Sequence, residues 1–548
     1  MPLIDHLFRL ASSLSRAGQG GYVDRKICVT CHASIAGVVE FHRHSMTHRD
    51  CSSYCAQKVA NVDRKRCANC RAPIGRRRIF IGSVMTILRL FFALAIVSIA
   101  SAQGAYVDRK LCANCHPSIA RTYARTGMAR SFYRANPQDV TPVSFHHLAS
   151  DTWYAMVSEA GKLYQRRWRI GPDGKEIDRA DSSVDYVMGS GNHVRTYLHR
   201  TDRGALIELP LAWYAENGGT WAMEPGHDGA STLPPRQIAY ECTFCHNAYP
   251  RIPLGHDEPG AEPLYAGALP EGIDCQRCHG PGGDHVRAAQ HGASVAEVRQ
   301  AIVNPARLSA ERQMEVCLQC HLETTSRPLP HSIVKYDRGP FSYRPGEPLS
   351  NFELFFDRAP GERKDDFEIA HSAYRLRESQ CFLRSAGKLT CTTCHNPHDI
   401  PRGESATQHY NAVCAQCHAA TLRTAVASGT HTAQPNCVAC HMPKRRTEDV
   451  VHAVMTDHLI RRRPIGGDPT APIPERAEFF ANPYHGEVGP ILPVGPDARA
   501  RCAVHGRRAG DAAQQSGGTT APGCRGREAA GRTGAILYRV GAGMDECR

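Results

Sequence analysis

The sequence predicts a mainly α, loop-rich fold interrupted by one small β-rich insert at about residues 141–240, with an interior organised by something other than an ordinary apolar core. Three observations predict it. A five-residue phrase, Cys-x-x-Cys-His, recurs eight times along the 548 residues and accounts for sixteen of the 24 cysteines. The stretch 241–465 is punctuated by this phrase, with short helical runs such as 294–303 and 412–427 between Pro-rich loops. Residues 141–240 lack the phrase and alternate apolar with polar side chains, as from Trp153 to Val157 and from Leu163 to Trp168, around a turn at Gly171 to Gly174.

The phrase begins at Cys28, Cys112, Cys242, Cys275, Cys317, Cys391, Cys414 and Cys437. Its second cysteines are Cys31, Cys115, Cys245, Cys278, Cys320, Cys394, Cys417 and Cys440, and its histidines His32, His116, His246, His279, His321, His395, His418 and His441. This is the pattern of c-type haem attachment. Two thiols about one helical turn apart add to the two vinyl groups of the porphyrin, and the next residue places an imidazole under the iron as proximal ligand. Structural zinc also uses Cys-x-x-Cys pairs, but it does not need histidine directly after the second cysteine. A disulfide scaffold is excluded by length and by the regular spacing. The ninth pair, Cys67 and Cys70, is followed by Arg71, which offers no proximal ligand; with His48, Cys51 and Cys55 nearby, zinc is the alternative there.

Sixth ligands decide whether an iron only changes oxidation state or also binds substrate. The candidates outside the motifs are His285, His398, His431, His452 and His458. The loops from His279 to His285 and from His395 to His398 are too short to reach the far face of their own haems, so each of those histidines is expected to serve a neighbour. His193 and His199 are weaker candidates, and Met128 offers a thioether. The motif starts at 391, 414 and 437 leave only 23 residues per motif. Each is too little for a separate core, so the haems are expected to stack.

The formal charge of +13 does not indicate nucleic acid, because two propionates on each of seven haems would add about fourteen negative charges. The basic runs Arg166 to Arg169 and Lys444 to Arg446 are read as solvated faces, or as partners for propionates.

At the N-terminus, Tyr22 to Cys28, Asn61 to Cys67 and Tyr106 to Cys112 are near-copies of one phrase. Between the second and third copies, Arg89, an apolar run from Leu90 and Ala100-Ser101-Ala102 read as a secretory signal peptide over 85–102; left uncleaved, it would be a membrane anchor. The expected organisation is a degenerate duplicated extension over 1–84, absent from the mature protein, the signal, a first haem-binding segment over 103–140, the β-rich insert, a multihaem core over 241–465, and a Pro/Gly/Arg-rich tail over 466–548 expected to be disordered. Haem c is expected at about seven sites, with an eighth at Cys28, Cys31 and His32 only if that segment is exported.

The stretch from about 105 to 465 resembles the cytochrome c-552/c-554 type of multihaem cytochrome, particularly forms fused to tetratricopeptide repeats in bacteria. The resemblance rests on Cys112 to Ala120, Cys275 to His285, Leu389 to His398 and Cys437 to Pro443. It implies a mainly helical, loop-rich fold with haems stacked in close pairs, and electron transfer in the bacterial periplasm with redox partner proteins there or at the membrane. Many relatives carry histidine where Met128 stands, and the helical repeats expected after about 480 are missing. The alternative is a catalytic multihaem oxidoreductase acting on a small nitrogen or sulfur compound at an iron with an open position; the Cys-x-x-Cys-Lys motif of pentahaem nitrite reductases is absent.

Overall fold

The structure, a computed structural model, describes residues 104–140, 142–230, 235–324, 332–359, 365–433, 436–476, 487–492 and 538–539. The expected extension, the signal and the motif at Cys28 lie outside the described residues.

The chain opens with two short helices, α1 (Arg109–Cys115) and α2 (Pro117–Tyr123). Asp108 caps α1 by accepting from the Lys110 amide. Ten strands follow: β1 (Phe132–Arg134), β2 (Val143–His147), β3 (Thr152–Glu159), β4 (Lys162–Ile170), β5 (Glu176–Ser183), β6 (Tyr186–Met188), β7 (Val194–Arg200), β8 (Leu206–Glu208), β9 (Leu211–Tyr214) and β10 (Thr220–Met223). β2 to β5 form an antiparallel meander, and a second antiparallel sheet runs β1-β6-β7-β9-β10 with β8 on β7. Ala160 and Gly161, both at positive φ, join β3 to β4 in a two-residue hairpin.

The period-two pattern aims Tyr154, Met156 and Leu163 of one sheet at Val187, Tyr197, Leu211 and Met223 of the other, giving an apolar core. Gln165 is buried there and fully used. Its amide donates to the Leu211 carbonyl and its carbonyl accepts from the Leu211 amide, each at 3.0 Å, so it bridges the sheets as a strand backbone would.

Beyond the sheets come α3 (Tyr240–His246), α4 (Gln276–His279), α5 (Gly283–Gln290), α6 (Val295–Gln300) and α7 (Ala310–His321). Next are β11 (Ser332–Val334), β12 (Glu353–Arg358), α8 (Ser372–Glu378), α9 (Gln380–Arg384), α10 (Cys391–Cys394), α11 (Gly403–Ala427) and α12 (Cys437–His441). The hairpin β13 (Lys444–Arg446) and β14 (Val454–Thr456) closes this part. A second core, with Phe244, Met314, Leu318, Tyr343, Phe352 and Tyr374, packs against Cys245, Cys320 and Cys391. By contrast, α1, α2, α10, α11 and α12 bury no side chain.

Of the tail expected over 466–548, residues 466–476, 487–492 and 538–539 are described. Within 466–548, β15 (Glu487–Pro490) pairs with β12, and β16 (Tyr538–Arg539) pairs with β15. The reason is local: Val488 and Leu492 are apolar enough to be buried, Leu492 in the second core.

Candidate haem-binding sites

Every described motif sits on, or ends, a helix. One turn brings cysteines three apart onto one face, and the helix end then aims the following histidine beyond it. Ser309 caps α7, Thr390 forms a capping box on α10 and Asn436 caps α12, so the turns bearing Cys317, Cys391 and Cys437 are set by local side chains. All fifteen described cysteines are free of disulfides.

Four motif histidines face a second imidazole. His116 lies opposite His285 with ring centroids 6.4 Å apart, His279 opposite His398 at 5.9 Å, His395 opposite His458 at 6.3 Å, and His441 opposite His431 at 6.2 Å. The interplanar angles are 14–18° except for His395 and His458, at 41°. In three of these four motifs the histidine meets one from a distant segment; in the fourth, His431 lies just ahead of its own motif.

The far nitrogen of most of these rings is tied down. Nδ1 of His279 donates to the Val303 carbonyl and that of His285 to Val298, both at 2.8 Å; that of His441 donates to Arg461 at 2.6 Å. His431 and His458 donate to Thr432 and Thr456 at 3.0 Å, and His395 Nδ1 meets the Tyr410 hydroxyl at 3.2 Å. A carbonyl has no proton, so Nδ1 carries the hydrogen and Nε2 keeps its lone pair for a metal. Burial holds His279, His398 and His458 below the ordinary histidine range and His395 down at about 4. They are neutral, the ligating form.

A charged network positions the last two pairs. Arg375 is bidentate to Asp457 at 2.9 and 3.0 Å, and Arg445, Arg461 and Asp365 complete it. It holds the residue before His458 and the residue whose carbonyl anchors His441. Burial would raise the Asp457 carboxyl, but Arg375 and Arg445 hold it at about 2.

The remaining candidate side chains have partners of their own. His452 faces no imidazole among the described residues; its Nε2 meets both carboxylate oxygens of Asp228 at 2.8 and 3.0 Å, because the loop after β10 brings an acid to the loop before β14. The basic runs are mixed: Arg167, Arg169 and Lys444 are exposed, as a solvated face requires, whereas Arg166 is paired with Asp181 and Glu159, and Arg446 with Glu216. His199 is engaged by Ser183 and Asp185, and His193 donates through Nδ1 to Val454. Met128 starts a single helical turn whose carbonyl accepts from the Ile273 amide. His246 is anchored through its carbonyl, which accepts from the Ser131 hydroxyl at 2.6 Å. Among the described residues no imidazole stands opposite His246, His321 or His418.

The motifs touch one another in an unbroken row. Gln276 of the Cys275 motif bridges the backbone of Val107 just ahead of α1, the Cys391 sulfur lies 3.6 Å from that of Met314 on α7, and the Cys437 amide donates to Asn411 of α11 at 3.0 Å. Between Cys242 and Cys317 the contact is reciprocal: the Cys245 sulfur lies 4.0 Å from the Gln319 carbonyl, and the Cys320 sulfur 4.0 Å from that of Phe244. Arg277 joins Cys275 to both through Phe244 and Gln319. His409 of α11 meets the Cys394 carbonyl at 2.9 Å and links α10 to the last two motifs.

Residues 385–422, which hold the motifs at Cys391 and Cys414, match the family model described as the doubled CXXCH motif. A stretch of 155 residues is 24% identical to the multihaem cytochrome MtrA of Shewanella baltica (strain OS185). The chain is a multihaem c-type cytochrome. The match covers 27% of the cytochrome and 43% of that relative, so it spans less than half of the relative's length. No solved structure matches the cytochrome.

The residues fit haem iron. An imidazole nitrogen binds a metal at about 2.0–2.1 Å, and about 1.1 Å more to each ring centre puts two trans imidazoles about 6.3 Å apart. The four pairs, at 5.9–6.4 Å, have that separation. Sequence reasoning found the rings but missed the Val298, Val303 and Arg461 carbonyls, which carry no signal in side-chain identity. It also missed Arg277, whose signal was an arginine inside an attachment motif.

Proposed function

We propose that the cytochrome transfers electrons along about seven covalently held haems in the bacterial periplasm, in exchange with redox partner proteins. The observation that supports this best is the set of four histidine pairs, each with room for an iron between its rings and three of them joining separate motifs. His285, His398 and His458 would supply sixth ligands to the haems of the Cys112, Cys275 and Cys391 motifs, and His431 to that of the Cys437 motif. When bound, a six-coordinate haem supplies a centre that changes oxidation state by one electron without binding substrate. The chain contributes the rest: it fixes both ligands, anchors their far nitrogens and keeps neighbouring motifs in contact, so that hopping distances stay short.

The likeness to the cytochrome c-552/c-554 type and the signal sequence support an exported protein. Among the described residues no helix is long and apolar enough to cross a membrane. The test is to express the chain in a host that matures c-type cytochromes, stain a denaturing gel for covalent haem, count haems per chain, and record electron-spin resonance. Low-spin iron at the four paired haems, reduced by a one-electron donor, is the expected result. A high-spin fraction that shifts with nitrite or hydroxylamine would replace this reading with catalysis at an open iron.

A further inference from the structure

Arg277 occupies the second variable position of its motif, where haem attachment asks for no particular side chain. It is nonetheless among the largest fully enclosed side chains, at 2% exposure. Its Nη2 donates to the Phe244 carbonyl at 2.8 Å, and its guanidinium carbon lies 4.0 Å from the centre of the Phe244 ring, 5.1 Å from that of Tyr249 and 5.7 Å from that of Phe341. Nε and Nη1 are buried without an acceptor. Its backbone carbonyl accepts from Gln319 Nε2 at 3.2 Å, inside the Cys317 motif. A permanent cation thus sits where the motifs at Cys242, Cys275 and Cys317 meet, and no carboxylate among the described residues forms an ion pair with it.

We infer that Arg277 raises the reduction potentials of the haems carried by the Cys242 and Cys317 motifs and makes this junction the place where electrons collect within the row. The inference rests on the electron-transfer reading above. Reduction adds one electron, supplied by a one-electron donor, and takes one positive charge from the iron centre. No proton moves, because a guanidinium stays protonated. A nearby cation in an apolar enclosure repels the oxidised centre more than the reduced one, so it favours the reduced form. The sign holds whether or not a haem propionate reaches Nε and Nη1, since replacing the guanidinium removes a positive charge in either case.

The test is a potentiometric titration of the fully matured protein, followed optically and by electron-spin resonance, for wild type, Arg277→Gln and Arg277→Lys. Arg277→Gln should lower the midpoints of two haems by at least a tenfold change in the oxidised-to-reduced ratio, about 59 mV for one electron. Arg277→Lys should keep them within that range. Arg277→Gln with every midpoint unmoved overturns the inference while leaving electron transfer intact; a wild-type protein whose haems accept no electrons overturns the reading beneath it. Should Arg277→Gln fail to mature, Arg277→Lys decides: midpoints kept support a role for the charge, and a tenfold fall in two of them refutes it.

Discussion

The strand-rich region between Phe132 and Met223 and the motif-rich segment from Cys391 to His441 solve the same problem differently. The first closes two sheets over Tyr154, Met156, Tyr197 and Leu211, all almost wholly buried. The second has a 25-residue helix, α11, and two shorter ones without a single buried side chain. A helix of that length gains most of its stability from tertiary packing of an apolar face, so in the second region the order has to come from groups joined to Cys391, Cys394, Cys414, Cys417, Cys437 and Cys440. Burial of side chains marks an interior only where side chains are what fills it.

Withholding haem attachment should break this contrast open. Expressed without the maturation machinery, the chain is expected to lose protection across 391–441 completely while the strands keep theirs, as read by hydrogen exchange and limited proteolysis; equal loss in both would refute the division. Next in size is His285→Ala, which should convert one low-spin haem to high spin at the distant Cys112 motif and leave the spin states of the others unchanged in electron-spin resonance. His452→Ala should change no spin state, since that ring is committed to Asp228.

On the strand side, Leu211→Ala should cost about 2–5 kcal/mol in unfolding experiments with the haem spectrum unaltered. The smallest expected effect is a pH dependence. Burial, with Glu208 beside it, pushes the Glu224 carboxyl well above its ordinary 4.5. A raised value means that its stabilising contribution is complete below the unfolded pKa and drains away as the pH climbs through the folded one. Glu224→Gln removes that loss, so its stability relative to wild type should grow as the pH rises above the ordinary carboxyl value of 4.5.

Much of the site could be read before folding was considered. Attachment needs two thiols one turn apart and an adjacent imidazole, and Cys112 to His116 displays all of it in five residues. The alternation of β3 and β4 was equally visible, because a period of two acts within a few positions. Val488 and Leu492 were obscured by the Gly- and Arg-rich composition around them, and only the edge of β12 shows why they are buried. His452 looked as good a ligand as His458; what separates them is an aspartate more than two hundred positions away.

Composition and spacing thus established on their own where haem is attached, since that chemistry is local to a pentapeptide. Folding settled which imidazole faces which, what enclosed Arg277 and which histidine was diverted to a carboxylate. Those are contacts between segments far apart in the chain, and they exist only after loops have closed and neighbouring motifs have been pressed together.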